Sequence, residues 1–122
     1  MLKVYVAGPM TGIPNFNFPL FNKVAAKLRA EGHEVFNPAE RDIQRHNGVD
    51  ISADNPTGSP EVAAKNHGFS LREALADDTN YICKEATAIC MLPGWENSPG
   101  ARAEHALAIA LKHKVLYHTE EA

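Results

Sequence analysis

The chain has 122 residues, of which 44% are hydrophobic and 22% charged, and its formal net charge is -3 at pH 7. This length suits one domain with a modest core. The charge gives no electrostatic reason to expect a nucleic acid polymer or an anionic membrane as partner. No apolar stretch approaches the roughly 20 residues that span a bilayer, and the first residues lack a signal peptide's layout. Two cysteines do not make a disulfide framework, so we predict that Cys83 and Cys90 are buried free thiols in a reducing cytoplasm.

The first part of the chain predicts a βαβ unit. Residues 2–7 are apolar, β-branched and aromatic and stop at a Gly-Pro turn, which is typical of a strand. A helix follows from Pro19 to Gly32, with apolar residues at the spacing of one helical face. Residues 33–36 predict the second strand. The two strands are therefore expected to be parallel and joined by a right-handed crossover.

Residues 43–68 interrupt this regular pattern and are predicted to form a long loop. Asp42 to His46 predicts one helical turn, and residues 47–60 consist mainly of Gly, Asp, Asn, Ser and Pro. A loop of this length inside a compact domain is usually functional or disordered. We expect either a lid over a site or plain surface disorder.

Regular elements resume after this loop. Residues 70–73 match a capping box and predict a helix to about Cys83. A strand over residues 86–92, a helix over 99–112 and a short strand over 115–117 follow. Strands that alternate with helices predict an α/β fold, here a single-domain, Rossmann/flavodoxin-like three-layer sandwich with a mainly parallel sheet of about four strands.

Two loops rich in glycine and proline follow predicted strands, so they should meet at the carboxyl edge of the sheet, where such folds bind ligands. Ser98 suits the N-cap of the helix that follows the second loop, and Pro99 suits its first position. The N-terminus of that helix is a natural anion site. The loops contribute the candidate binding residues Gly8, Pro9, Met10, Thr11, Gly12, Pro93, Gly94, Trp95, Ser98 and Gly100. Of these, Met10 and Trp95 are candidates to stack on a base, although a tryptophan in a loop is as often a packing anchor.

Two carboxylates are candidates for chemistry near these loops. Glu104 lies roughly 9 Å along the helix from Ser98, a plausible separation between a phosphate and the reacting carbon of a sugar. Asp78 lies on a largely apolar helical face, where desolvation raises the pKa of a carboxyl and suits it to donate a proton. The alternative for each is a salt bridge or a solvated helix edge. Together they indicate glycoside-bond chemistry with one nucleophile and one acid.

Other candidates contribute less to this interpretation. The six histidines are scattered without metal-ligand spacing, so neither a metal nor another cofactor is expected. His105 points about 100° around the helix from Glu104 and is predicted to lie at the surface. The hydroxyl of Tyr5 either reaches a site residue or finds a partner in the core.

Three segments and Asp78 carry a resemblance to a known group of enzymes. Residues 4–12, 32–40 and 92–104 are similar to the nucleoside 2-deoxyribosyltransferase superfamily. The similarity is to a small phage and bacterial branch related to 2′-deoxynucleoside 5′-phosphate N-hydrolases. Together the matching parts cover nearly the whole chain except the 43–68 loop.

The resemblance implies a role for each matching residue. Glu104 corresponds to the glutamate that attacks the anomeric carbon and forms a glycosyl-enzyme ester, and Tyr5 to the tyrosine that orients it. Asp78 corresponds to the aspartate that protonates the base, although Asp77 is its neighbour. Ser98 corresponds to the serine that binds the 5′-phosphate in the nucleotide-hydrolysing relatives. Thr87 departs from the pattern, because many relatives carry an acid there.

The sequence thus predicts an N-glycosidase that cleaves the base–sugar bond of a (deoxy)nucleoside 5′-monophosphate. One alternative is a nucleoside 2-deoxyribosyltransferase, which passes the same intermediate to a second base. Another is a non-catalytic nucleotide-binding regulatory module, and a more distant one is hydrolysis of a dinucleotide. The expected partner is a small-molecule nucleoside or nucleotide, and the resemblance implies a homodimer or higher homo-oligomer.

Overall fold

A four-stranded parallel sheet forms the centre of the molecule. The computed structural model describes residues 1–119. The strands lie in the order β2-β1-β3-β4, and every neighbouring pair is parallel. Their bounds are Lys3–Ala7 (β1), Glu34–Phe36 (β2), Ala88–Met91 (β3) and Lys114–Tyr117 (β4). The predicted α/β fold with a mainly parallel sheet of about four strands is confirmed.

Five α-helices and two short 3-10 turns complete the described part of the chain. The helices are α1 (Phe18–Ala30), α2 (Pro38–Arg45), α3 (Pro60–His67), α4 (Leu71–Lys84) and α5 (Pro99–Ala110). The 3-10 turns span Pro14–Asn17 and Trp95–Asn97. Within residues 1–119, no helix combines the length and the apolar character that a membrane span needs.

Side chains alternate across the sheet and divide the core into two halves. Val4 and Val6 point to the face that α1 covers, whereas Tyr5 and Ala7 point to the face that α4 and α5 cover. All four are at most 1% exposed. Because successive side chains of a strand point to opposite faces, an almost wholly apolar strand is what a sheet covered on both faces requires.

The segment over residues 43–68 differs from the predicted loop. Helix α2 begins early, at Pro38, where the Asn37 side chain accepts a bond from the Ala39 N–H at 3.0 Å. Helix α3 occupies residues that were predicted to be irregular, and Ser59 is its N-cap. The prediction of a continuous loop was therefore wrong, because Asn37-Pro38 and Ser59-Pro60 each start a helix. A lid motion stays a prediction.

The two cysteines have different environments. Cys90 is buried in β3, whereas Cys83 is exposed near the end of α4. Both are free thiols, as predicted. The predicted burial of Cys83 was wrong. The side of α4 that carries Ile82 packs into the core, whereas Cys83 lies on a side that faces solvent.

Candidate active site

A cavity of about 810 Å³ opens at the carboxyl ends of β1 and β3. The chain leaves β1 toward one edge of the sheet and reaches β3 on the other side of β1, so this is the topological switch point of the sheet. The loops after both strands and the first turns of α5 line it. The volume is typical of a pocket for a small molecule.

The two glycine-rich loops come together at this cavity, as the sequence predicts. The Leu92 N–H donates to the Ala7 carbonyl at 2.8 Å. A Cβ atom added to Gly8 would lie 2.6 Å from Cβ of Leu92, so only glycine permits the strand ends to approach this closely. A Cβ added to Gly94, in the loop after β3, would lie 3.4 Å from Pro9 in the loop after β1, so the two loops also approach each other there.

Most predicted site residues line the cavity. These are Tyr5, Asp78, Glu104, Gly8, Pro9, Met10, Thr11, Pro93, Gly94, Ser98 and Gly100. Gly12 and Trp95 lie outside the lining. The N–H of Gly12 instead donates to the carbonyl of Gly58 at 2.8 Å. The ring of Trp95 stacks on His105, with 4.3 Å between the ring centroids, and packs against the core between the sheet and α5. Trp95 is therefore a packing residue.

Tyr5 and Glu104 form the innermost polar contact of the site. The Tyr5 hydroxyl donates to Oε2 of Glu104 at 2.7 Å. Tyr5 is 1% exposed and Glu104 is 6% exposed, although both border the cavity. Tyr5 comes from the centre of the sheet, so the strand fixes the orientation of a carboxylate that belongs to α5.

Asp78 is the second buried carboxyl of the cavity. It is 7% exposed, and its Oδ1 atom is buried without a hydrogen-bond partner in the described part of the chain. Its neighbour Asp77 points away and accepts hydrogen bonds from Arg41 at 2.6 Å and from Arg45 at 2.5 Å. The helical spacing therefore distinguishes the aspartate that is buried at the cavity, Asp78, from its neighbour.

Burial raises the pKa of both cavity carboxyls. Loss of solvent, together with the charge of Asp42, raises the pKa of Asp78 to about 7. Loss of solvent also raises the pKa of Glu104 to about 8, while the bond from Tyr5 acts to lower it. Two coupled carboxyls with such values hold one proton between them near neutral pH. Strongly shifted carboxyls in a cavity are a signature of functional sites.

Ser98 caps the N-terminus of α5 and lines the cavity. Its hydroxyl oxygen accepts a bond from the Ala101 N–H at 3.2 Å, and Pro99 occupies the first helical position. The hydroxyl hydrogen of Ser98 is then free to donate to a ligand. Ser98, Pro99 and Gly100 all line the cavity, so the positive end of the α5 dipole faces it.

A model of a protein family matches residues 2–117, nearly the whole chain. Its description is that of a domain of unknown function, DUF4406. The chain belongs to the DUF4406 family. No curated protein matches it.

The DUF4406 chain also holds cavity residues that the sequence interpretation missed. Asp42, on α2, is 4% exposed and lines the cavity. Its signal was present, because Asn37-Pro38 is an N-cap followed by proline and places Asp42 inside a helix. Asp42 was predicted to begin a helical turn, but no burial was predicted for it, because Asn37-Pro38 was not recognised as the start of a longer helix.

Phe16 is the other missed feature of the DUF4406 cavity. It lies in a run of three residues with positive φ, from Asn15 to Asn17, where φ is 54°, 53° and 61°. This left-handed turn inserts the Phe16 ring into the cavity wall, 6.1 Å from the ring of Phe69. The Asn17 side chain donates to the Pro9 carbonyl at 3.0 Å and links the turn to the first loop. Asparagine tolerates this conformation, but the sequence pattern alone does not predict three such residues in succession.

Proposed function

We propose that this chain is an N-glycosidase that cleaves the base–sugar bond of a (deoxy)nucleoside 5′-monophosphate. The observation that carries the proposal is the buried Tyr5–Glu104 hydrogen bond, with Asp78 beside it, in a cavity that the N-terminus of α5 also faces. The sequence resemblance to the nucleoside 2-deoxyribosyltransferase superfamily supports the same assignment for these residues.

The proposed reaction has two steps. A carboxylate oxygen of Glu104 attacks the anomeric carbon, the C1′–N bond breaks, and its electron pair leaves with the base. Asp78 gives its proton to a ring nitrogen of the base, which departs neutral. Water then attacks C1′ of the glutamyl ester, gives a hydroxyl group to the sugar and returns a proton to Asp78. Both residues regain their starting protonation states.

The hydrogen bonds favour the distribution of protons that this mechanism needs. Tyr5 donates to Glu104 and so stabilises its ionised form. The unpartnered Oδ1 of Asp78 is tolerated better on a neutral carboxyl than on a charged one. We propose that these hydrogen bonds, and not the order of the two raised pKa values, decide where the shared proton lies, so that Asp78 carries it and Glu104 is the nucleophile.

The first turn of α5 is the proposed phosphate site. Free N–H groups at a helix N-terminus bind phosphate, and the Ser98 hydroxyl adds a further donor. Gly100 lets a ligand approach the backbone, since a Cβ atom there would meet nothing within 4 Å. The rise of α5 between Ser98 and Glu104 matches roughly the separation of a 5′-phosphate from C1′.

The homodimer that the resemblance implies and the cytoplasmic location predicted from the free thiols belong to this proposal. Leu71 supports a dimer, because its apolar side chain lines the cavity and yet is 58% exposed. An exposed apolar residue at the rim of a site is a candidate for coverage by a neighbouring subunit. The two free thiols suit a reducing compartment.

The deciding experiment incubates the protein with nucleosides, their 5′-monophosphates and NAD, and follows released base by chromatography. We expect release from monophosphates, and a loss on the order of 10³-fold in Glu104→Gln, which removes the nucleophile but keeps its shape. Glu96→Gln is the matched control, because Glu96 is an exposed acid outside the cavity lining.

Two outcomes would change the proposal. Incorporation of an added free base into a new nucleotide would make the chain a deoxyribosyltransferase, which uses the same intermediate. If no base appears from any compound at high protein concentration, the enzymatic proposal fails. Binding of a nucleotide in that case would indicate the regulatory module instead.

A further inference from the structure

Asp42 is a buried acid in the same cavity for which the proposed mechanism has no use. It is 4% exposed and borders the cavity from α2, whereas Asp78 borders it from α4. Helices α2 and α4 contact each other, and the charge of Asp42 acts on Asp78, so the two carboxyls lie near each other in the cavity wall. Removing a carboxylate from water is costly unless a partner compensates for the lost hydration, so an acid in such a place needs a partner.

Arg45 pairs with Asp42 but does not line the cavity. The guanidinium donates through Nη2 to Oδ1 of Asp42 and through Nη1 to Asp77 at 2.5 Å. Burial raises the pKa of Asp42 to about 6 although the charge of Arg45 acts to lower it, so Asp42 is mostly ionised at about pH 7.5. Arg45 orients it and leaves the other oxygen, Oδ2, to accept a hydrogen bond from a bound molecule, since no bond to Oδ2 occurs among residues 1–119.

Asp78 supplies the complementary half of the arrangement. Its Oδ1 atom is unpartnered and its side chain is more than nine-tenths buried at the cavity wall. With the proton that the proposed mechanism requires, Asp78 is a hydrogen-bond donor. The cavity wall then presents one carboxyl donor and one carboxylate acceptor, close enough for the charge of Asp42 to raise the pKa of Asp78.

We propose that Asp42 determines base specificity and selects bases that carry an exocyclic amine next to the ring nitrogen that Asp78 protonates. This inference rests on the proposed function. Cytosine offers N3 beside its 4-amine, and adenine offers N7 beside its 6-amine, so both match an acceptor carboxylate next to a donor. Uracil and hypoxanthine place a carbonyl oxygen where the amine would be, and this oxygen would face the Asp42 carboxylate without a proton between them.

The first measurement compares matched pairs of substrates at about pH 7.5. Kinetics of the wild-type protein give kcat/KM for the 5′-monophosphates of 2′-deoxycytidine and 2′-deoxyuridine, and of 2′-deoxyadenosine and 2′-deoxyinosine. Calorimetry with Glu104→Gln gives their affinities without turnover. We expect the amino member of whichever pair binds to be favoured about tenfold or more, because a site built for a hydrogen bond rejects the analogue that lacks it.

Asp42→Asn is expected to bring that ratio to within about threefold of one, because an amide both donates and accepts. Asp77→Asn is the matched control. It removes a carboxylate from the same Arg45 but lies outside the cavity lining, so the preference for the amino base should persist. Equal loss of preference in both variants would overturn the inference, since the effect would then come from a released arginine.

The outcomes separate this inference from the proposed function. Release of base with equal kcat/KM for the two members of each pair would overturn the role of Asp42 and leave the glycosidase standing. Preferential binding of the amino member without any release of base would support the role of Asp42 in selecting the base and overturn the glycosidase. The wild-type ratio decides the matter even if Asp42→Asn fails to fold.

Discussion

Tyr5 is the residue through which the first strand reaches the last helix. Its hydroxyl donates to Glu104 across 99 positions of sequence. In addition to burial, the charges of Glu104 and Asp78 hold the pKa of Tyr5 well above its usual range, so it stays a donor at every working pH. Under the proposed function, Tyr5 is thus a positioning residue whose hydrogen bond also acts to lower the pKa of Glu104.

Replacing this hydroxyl should move the pH dependence of activity. In Tyr5→Phe, Glu104 loses the donor that lowers its pKa, so we expect the acidic limb of the pH–rate profile to shift to higher pH and the maximum rate to fall about tenfold. Base release measured from about pH 5 to 9 checks this. Tyr81→Phe is the control, because Tyr81 donates to Glu34 outside the cavity. An unchanged profile in Tyr5→Phe would contradict the role.

At this scale, periodicity and chain order predict much of the site. The apolar face of α4 distinguishes Asp78 from Asp77, and the structure buries the former and pairs the latter with arginines. Trp95 shows where such reasoning stops. A loop tryptophan suits a ligand and a packing partner equally well, and the stacked ring of His105, on the next element, decides between them.

At the scale of elements, the principal difference between prediction and structure is helix α3, and a comparison of two helix starts explains it. Ser59-Pro60 has the same pattern as Ser98-Pro99, an N-cap followed by proline, and both start helices. The few apolar residues of the 43–68 segment concealed the first of them. The left-handed turn at Phe16 has no comparable signal, because its side-chain and backbone bonds to Ser52 and Asn55 come from residues distant in sequence.

Gly58 tests how firmly this segment is attached to the first loop. Its φ is +66°, and an added Cβ would lie 2.2 Å from the carbonyl oxygen of Ile13. We expect Gly58→Ala to lower the free energy of unfolding by about 2–4 kcal/mol, since backbone must move and a left-handed residue gains a side chain. Urea unfolding followed by circular dichroism measures it.

Gly48→Ala is the matched control for this substitution. Gly48 has φ of +85° but open space around it, so only the conformational penalty of about 1 kcal/mol applies. Equal losses in the two variants would mean that the segment does not pack on the first loop as tightly as the contact distances indicate.

At the scale of the whole molecule, the parallel sheet follows from the alternation of elements, and the location of the cavity follows from the sheet. The buried carboxyls of that cavity lower the free energy of unfolding at neutral pH. The folded-state pKa values of Asp78 and Glu104, about 7 and about 8, lie above those of the unfolded chain. The folded protein therefore binds more protons than the unfolded chain, and its stability falls as pH rises from about 4 to 8.

Neutral isosteres should remove this loss. We expect Glu104→Gln and Asp78→Asn each to raise the free energy of unfolding on the order of 2 kcal/mol at about pH 8, and to change it little at about pH 5. Denaturant unfolding at both values checks the difference. Asp77→Asn should behave oppositely, since Arg41 and Arg45 outweigh desolvation and hold the pKa of Asp77 below its ordinary value. A gain that does not depend on pH would contradict the raised pKa values of Asp78 and Glu104.

The position of β1 inside the sheet has a consequence for synthesis. On the ribosome, β1 is made first and its partner β2 soon afterwards, but its other edge stays unpaired until Ala88–Met91 has emerged. Tyr5 meets its carboxylate later still, when α5 is complete. The Tyr5–Glu104 pair therefore cannot form until α5 has emerged, and one edge of β1 is open to wrong partners until β3 has been made.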